Sequence, residues 1–247
     1  MSSLNSLGTP FIELSSVDST NNYAMGLVRA GMAYHGLAVF AHEQTAGRGQ
    51  RSKQWFSDKN CNIILSIVLD PSGLKGKEMF LLSMAMANAT LQLFNKYAGG
   101  EAKIKWPNDI YWRDRKAAGI LIENVWQGAE WKYAVVGIGM NINQVEFTEP
   151  GLKAVSLRQV TGHKYDPVLL AQELCKLIQE HFDLLTADPG KVGKEYRVNL
   201  YRLNESVKLK KDNVFDAVIK DVNDKGQLIV QSGSMEVFNV GEVEWLI

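Results

Sequence analysis

Gln44-Thr45-Ala46-Gly47-Arg48-Gly49-Gln50-Arg51-Ser52-Lys53-Gln54-Trp55 lies between two apolar runs that read as strands, residues 37–41 and 62–69. Two glycines, three cations and one indole share these twelve positions. A Gly-x-Gly segment can turn its backbone N–H groups toward an anion. Arg48, Arg51 and Lys53 add positive charge, and Trp55 offers a flat surface for a base. A basic surface loop would look the same in isolation, so the rest of the chain decides between the two readings.

The chain has 247 residues, 27 basic and 27 acidic, and a formal net charge of zero. Such a balance lacks the basic field that non-specific nucleic-acid binding needs. Hydrophobic residues make up 46% of the chain, ample for a buried core. No apolar run of ~18 residues predicts a transmembrane helix, and the polar stretch 1–10 does not resemble a signal peptide. Cys61 and Cys175 have no metal-ligand spacing, fit a reducing cytosol, and are read as buried and inert. His35, His42, His163 and His181 also lack metal spacing, and structural or surface roles are expected for them.

Outward from the loop, residues 15–21 are dominated by helix-capping types, so a helix is expected over 22–30, stopping at Gly31. Met79, Leu82, Met86, Ala89, Leu93 and Tyr97 recur at steps of three and four, predicting a long amphipathic helix that ends near Gly99 and Gly100. Strands are expected over 102–106, 117–123 and 131–143, and helices over 167–187 and 189–200. After residue 205 the pattern becomes short alternating runs separated by turn residues, which predicts a barrel of about five strands. The expected organisation is a mixed α/β sheet with flanking helices over 1–204 and a small all-β domain over 205–247.

Three further segments bear on chemistry. In Lys105-Trp106-Pro107-Asn108-Asp109, Lys103 and Lys105 share one strand face, and a lysine at a strand end can project its charge into a cleft. Asp109 could hold Mg²⁺ through one oxygen. A solvated lysine edge followed by a Pro-Asn-Asp turn is the plainer alternative. In the run 135–143, alternation places Gly137, Gly139, Asn141 and Asn143 on one face, leaving bare backbone against which a flat ligand can lie. Close helix–sheet packing would use glycines the same way. Ala117, Gly119 and Leu121 are expected on a matching face of the neighbouring strand. Ser19, Thr20 and Asn21 read first as a helix N-cap, a position that can also bind polar ligand atoms.

These segments, in this order, resemble the biotin–protein ligase family, the biotin–[acetyl-CoA-carboxylase] ligases. The resemblance is carried by Ser19-Thr20-Asn21, Gln44, Gly47-Arg48-Gly49, Trp55, Lys105 to Asp109, the run 116–121 and the run 137–141. It implies a mixed α/β catalytic domain, a C-terminal SH3-like barrel and ATP, biotin and Mg²⁺ as the small molecules. Biotin would first be converted to biotinyl-5′-AMP, then transferred to a lysine of a biotin carboxyl carrier domain. By this resemblance Ser19, Thr20, Asn21 and Gln44 contact biotin, and Gly119, Gly137 and Gly139 floor its slot. Gly47, Arg48, Gly49, Gln50 and Arg51 handle the carboxylate and phosphates, and Lys105 neutralises charge where the two anions meet. Trp55 covers the adenine, Asn141 reads its edge, and Lys116 meets the phosphates.

The family loop usually continues Arg-Arg-Gly-Arg after Gly-Arg-Gly, whereas Gln50-Arg51-Ser52-Lys53 stands here, with Arg51 or Lys53 expected to replace the missing cation. The core begins near Phe11, too early for an N-terminal winged helix-turn-helix, so no operator DNA binding is expected. A cytoplasmic enzyme, with pairing into a homodimer left open, completes the expectation. Three alternatives stand beside it: a lipoate–protein ligase, whose Arg-Arg-x-Ser-Gly-Gly-Gly signature is absent, a non-catalytic biotin or nucleotide sensor, and a protein-interaction adaptor.

Overall fold

The computed structural model describes residues 6–74, 79–148, 151 and 153–246. The first five residues of the polar start, and Ile247 at the end of the last apolar run, lie outside the described residues. The chain runs β1 (Phe11–Leu14), α1 (Thr20–Arg29), β2 (Ala38–Ala41), β3 (Ile63–Leu69), α2 (Met79–Ala98), β4 (Ala102–Lys105), β5 (Asp109–Trp112), β6 (Arg115–Gln127) and β7 (Glu130–Met140). It continues through α3 (Leu157–Thr161), α4 (Pro167–Ala187) and α5 (Pro189–Val198) into β8 (Ser206–Lys210), β9 (Val214–Val222), β10 (Leu228–Ser232), β11 (Ser234–Phe238) and β12 (Glu244–Leu246).

The first seven strands form one mixed sheet in the order β1-β2-β3-β7-β6-β5-β4. Only β1 and β2 run parallel, and the other neighbours are antiparallel. Strand alternation sends two sets of side chains in opposite directions. Phe40, Ile63, Leu65, Ile67, Val136 and Ile138 join the large core with α2, α4 and α5. Val39, Val68 and Val135 pack with Ala24 of α1 in a smaller one on the other face. Helix α2 is buried on nearly all sides, including Met84, Ala85, Met86 and Ala87 in succession, because it lies between the sheet and α4 with α5. Helix α4 starts at Asp166, whose side chain accepts the Val168 and Leu169 N–H groups, with Pro167 at the first helical position.

Three elements were not anticipated, among them β1, whose four residues read only as a short apolar start. Strand β5 follows directly on the Pro107-Asn108 turn, and its four residues are too few for alternation to stand out. Helix α3 has five residues, closed by a Ser156–Gln159 capping box and Gly162 in the left-handed region. The expected barrel of about five strands is met in part, as a second sheet that does not close. Strands β8 to β12 form a five-stranded antiparallel sheet in the order β11-β10-β9-β8-β12. Among the described residues β11 pairs only with β10 and β12 only with β8, so its edges do not meet.

This second sheet is fastened to the first beside the Lys105 strand. Trp106, 4% exposed, donates its indole N–H to the Gly226 carbonyl at 3.0 Å. Gly226 has φ +82°, and the Phe80 ring fills the space a side chain would need. Replacing Gly226 with Ala therefore adds backbone strain and a steric clash at one point. We expect Gly226→Ala to lower the unfolding free energy by about 1–3 kcal/mol, a fall in Tm of several degrees read by calorimetry. An unchanged Tm would show that this contact does not hold the two sheets together.

Candidate functional site

The face of the sheet that carries α1 is only partly covered by it. Register places three cross-strand rows there: Ile64–Gly139–Gly119–Asp109–Lys105, Ser66–Gly137–Leu121 and Val68–Val135–Glu123. The third row packs under α1 through its two valines. Ile64, Gly139, Gly119 and Asp109 of the first row and Gly137 and Leu121 of the second line a cleft, walled by the start of α1 and by the 44–55 loop.

Bare backbone at the glycines is used by close neighbours. The Asn21 carboxamide occupies the space a Gly137 side chain would need, and the Trp55 indole fills that of Gly139. A methyl group on Gly119 would stand 3.1 Å from Lys116 Nζ and 3.3 Å from Asp109 Oδ1. Trp55 thus lies on the floor, with Lys116 Nζ 5.7 Å from its ring centre. Its buried indole N–H has no hydrogen-bond partner among the described residues. With the indole in place the cleft encloses about 50 Å³.

The start of α1 is polar and closely wired. Ser19 caps the helix, and the Thr20 N–H donates to Gln44 Oε1 at 2.8 Å. Ser66 Oγ lies 2.6 Å from Asn21 Oδ1 and 2.8 Å from Thr20 Oγ1. Its single proton goes to the acceptor-only Asn21 oxygen, which leaves the Thr20 hydroxyl as donor. Ser66 and the three residues at the start of α1 are all buried.

Two cations also line the cleft. Arg48 stands beside the start of α1, donating to Asn22 Oδ1 at 2.9 Å, and Lys116 stands over Gly119 with its Nζ 2.7 Å from Asp109 Oδ1. A register shift between β5 and β6 at Ile110/Tyr111 explains why Lys116 is here. Simple alternation put Ala117 beside Gly119 and Leu121. The bulge turns Ala117 into the core, fully buried, and brings Lys116 over Gly119 instead. Lys105 lies at the far end of the first row and does not line the cleft. Its ammonium sits 5.0 Å from the Tyr111 ring centre and 5.6 Å from that of Trp245 in β12. Burial lowers its pKa to about 8, against the opposing pull of Asp109.

The remaining sequence-derived residues divide clearly. Ser19, Thr20, Asn21, Gln44, Arg48, Gly49, Gln50, Trp55, Asp109, Lys116, Gly119, Gly137 and Gly139 converge on the cleft. Gly47 lies directly behind it, where a side chain would strike the Trp55 carbonyl and Gln44. The Gly49 N–H is spent inside the loop, on the Lys53 carbonyl at 2.7 Å. Arg51, at φ 54°, turns away and packs its guanidinium on Gly241, so in this conformation it does not stand in for a cation at Gln50. Asn141 points elsewhere: it is buried, with its amide donating to the Val155 and Lys116 carbonyls at 3.3 Å each. Asn143 likewise exchanges two hydrogen bonds with the Tyr165 backbone. Cys61 is only partly buried, a correction to its expected burial. Burial pushes the Cys175 thiol up to about 12.

Sequence reasoning missed Ser66, Asn108 and Glu123. Ser66 was detectable as the one polar residue within the apolar strand β3. Among the described residues no group of three or more His, Cys, Asp or Glu side chains is placed to hold a metal. Nor is any helix long and apolar enough to cross a membrane.

Comparison with known proteins agrees with this geometry. Residues 13–141, more than half of the chain, match the model of the biotin/lipoate A/B protein ligase family. The bifunctional ligase/repressor BirA of Escherichia coli is 35% identical over 130 residues, 51% of this chain and 38% of that protein. The chain therefore spans well under two thirds of that relative's length. A biotin–[acetyl-CoA-carboxylase] ligase of Paracoccus denitrificans is 36% identical over 162 residues, 62% of this chain and 65% of that one. The fold is similar to that of a biotin protein ligase from Aquifex aeolicus solved with biotin and ATP, with TM-score 0.80, 24% identity and coverage of 95% and 97% of the two chains. The chain belongs to the biotin/lipoate A/B protein ligase family.

Proposed function

We propose that this protein is an ATP-dependent biotin–protein ligase that forms biotinyl-5′-AMP and passes the biotinyl group to a lysine of a biotin carboxyl carrier domain. The observation that carries the reading is the glycine-floored cleft that combines neutral polar groups at the start of α1 with the cations Arg48 and Lys116. Biotin has a ureido group at one extremity, an apolar body and a carboxylate at the other. Thr20, Gln44, Asn21 and Ser66 match the first, and Gly137, Gly139, Ile64 and Leu121 match the body. Arg48 and Lys116 match the acid and the phosphate it must meet. The names of the Paracoccus relative and the Aquifex complex support the same substrates.

A carboxylate oxygen of biotin would attack the α-phosphorus of ATP and pyrophosphate would leave. The carrier lysine amine would then attack the acyl carbon of the mixed anhydride, and AMP would leave. The first step brings two anions together. At 4 Å and an effective dielectric near 20 that repulsion is about 4 kcal/mol. A cation held at a similar distance offsets it, and Arg48 and Lys116 are the cations on the cleft. Lys105 adds charge from the end of the same row, beyond Asp109. Mg²⁺ would arrive with ATP as part of the substrate. Asp109 offers it a carboxylate already shared with Lys116, suited to one protein oxygen among phosphate oxygens. A cytoplasmic location, a division of the chain near residue 204 and an SH3-like second domain belong to the same reading. The start of the second sheet at Ser206 supports the division.

About 50 Å³ holds one or two waters, so a bicyclic ligand enters only when Trp55 leaves the Gly139 face. Biotin addition is therefore expected to change tryptophan fluorescence in the wild type, with the change largely gone in Trp55→Phe. An equal response in that variant would show that the indole does not gate the cleft.

Lys116→Ala should slow biotin-dependent exchange of pyrophosphate into ATP by roughly 100- to 1000-fold, the rate equivalent of one lost charge contact of about 3–4 kcal/mol. Transfer to a purified carrier domain should fall with it. Binding of biotin with no exchange in the wild type would favour a sensor over an enzyme.

Lys105 provides a pH signature. Its folded pKa of about 8 lies below the usual 10.5, so its charge is present below pH 8 and is lost as pH rises through that value. If the charge assists adenylation, the wild-type rate falls above pH ~8 and Lys105→Arg moves that limb upward, because guanidinium stays ionised. The stability effect has the opposite sign: the cost of burying the ammonium is fully present below pH 8 and is relieved between pH 8 and 10.5. Coincident rate profiles for the two proteins would remove Lys105 from the mechanism.

A further inference from the structure

Arg48 is held from the sheet below it. Its guanidinium meets Glu123 of β6 through two nitrogens, Nη2 to Oε1 at 2.9 Å and Nη1 to Oε2 at 3.1 Å, and Nη1 also donates to Asn22 Oδ1 at 2.9 Å. The same Glu123 Oε2 accepts the Asn21 amide at 2.9 Å. Asn21 is 3% exposed and is itself the acceptor for Ser66. One carboxylate therefore joins the Arg48 cation to the hydrogen-bond chain Asn21–Ser66–Thr20–Gln44.

This arrangement differs from an ordinary surface ion pair. Lys59–Glu43 and Lys132–Glu130 are single contacts between exposed groups, of a kind that contributes little. Glu123 is 22% exposed, accepts a hydrogen bond from one Arg48 nitrogen with its other oxygen 2.9 Å from the second, and has Asn21 as a further, buried partner. Both Nη1 hydrogens are spent, on Glu123 and Asn22. The Nε–H makes no hydrogen bond among the described residues, so Arg48 can stay anchored while it donates to an anion. Glu123 lies in the row Val68–Val135–Glu123, the first one beyond the floor under α1. A carboxylate there touches α1 and the loop together, and neither of those segments pairs with β6.

We propose that Glu123 is a positioning residue for adenylate formation. Its carboxylate orients Arg48 toward the reacting anions and ties the loop to the start of α1. The proposal rests on the ligase reading above. Its substance is that Glu123 acts through Arg48 and makes no contact with substrate. In such a role the negative charge matters as well as the shape, because a neutral amide cannot match a guanidinium at two points.

The test is biotin-dependent pyrophosphate–ATP exchange by the full chain, with biotin and ATP each varied, for wild type, Glu123→Gln, Arg48→Ala and the double variant. Glu123→Gln should lower kcat roughly tenfold or more, the usual size for a lost charge-assisted contact, with a smaller change in the biotin KM. In the Arg48→Ala background the same substitution should cost less than about twofold. A ¹⁵N spectrum gives a readout independent of rate: resolved Arg48 Nη1–H resonances, held by Glu123 and Asn22 in the wild type, should broaden or vanish in Glu123→Gln while the rest of the spectrum persists. Equal losses with and without Arg48, or a wild-type rate in Glu123→Gln, would overturn the inference and leave the ligase reading standing. No exchange by the wild type would overturn both.

Discussion

Two positions on β7 without side chains set the rest of the site. Gly137 and Gly139 let the Asn21 carboxamide and the Trp55 indole come down onto the sheet itself. If either glycine carried a Cβ, α1 or the loop would have to ride higher. The hydrogen bonds from Asn21 to Ser66 and Glu123 depend on that height, as does the seat of Trp55 beside Lys116. With no Cβ between them, side chain meets backbone directly, and here it happens twice on one strand face. The neighbouring rows then need only supply chemistry at fixed spacing.

The charges follow the same grid. Asp109 stands across from Gly119 and next to Lys105, while the bulge brings Lys116 over the same glycine. Two lysines and one carboxylate therefore share one end of one row. The lysine nearer the cleft is paired, and the one farther away is desolvated among aromatic rings. Charge can in this way be concentrated where two anions must approach while the chain as a whole remains neutral.

Much of this was readable from residue order. Helix α4 begins and ends where its Pro167 start and apolar spacing place it, and the runs after residue 205 mark all five strands of the second sheet. The alternation in 135–140 correctly separates Val136 and Ile138 from Gly137 and Gly139, because β7 keeps an unbroken register with β3. Reading failed where register is broken or where partners are distant. The bulge that exchanges Ala117 for Lys116 arises from pairing with β5, a strand too short to detect. Glu123 looks like an ordinary polar residue of a strand until α1 and the loop are folded over it, more than 70 residues away in sequence from Arg48. Asn141 follows the period of the glycines, yet the end of β7 turns its amide toward Val155.

The resting place of Arg51 has a wider meaning. The loop that carries Arg48 and Trp55 ends its basic run against Gly241, a residue of the second sheet's terminal segment, and Trp245 from the same segment flanks Lys105. Among the described residues the C-terminal forty add no wall to the cleft, but they hold Arg51 of the loop and cover the lysine at the end of the first row. The two sheets therefore share one seam. Its residues set where the loop rests and how far Lys105 is desolvated, although none of them lines the cleft.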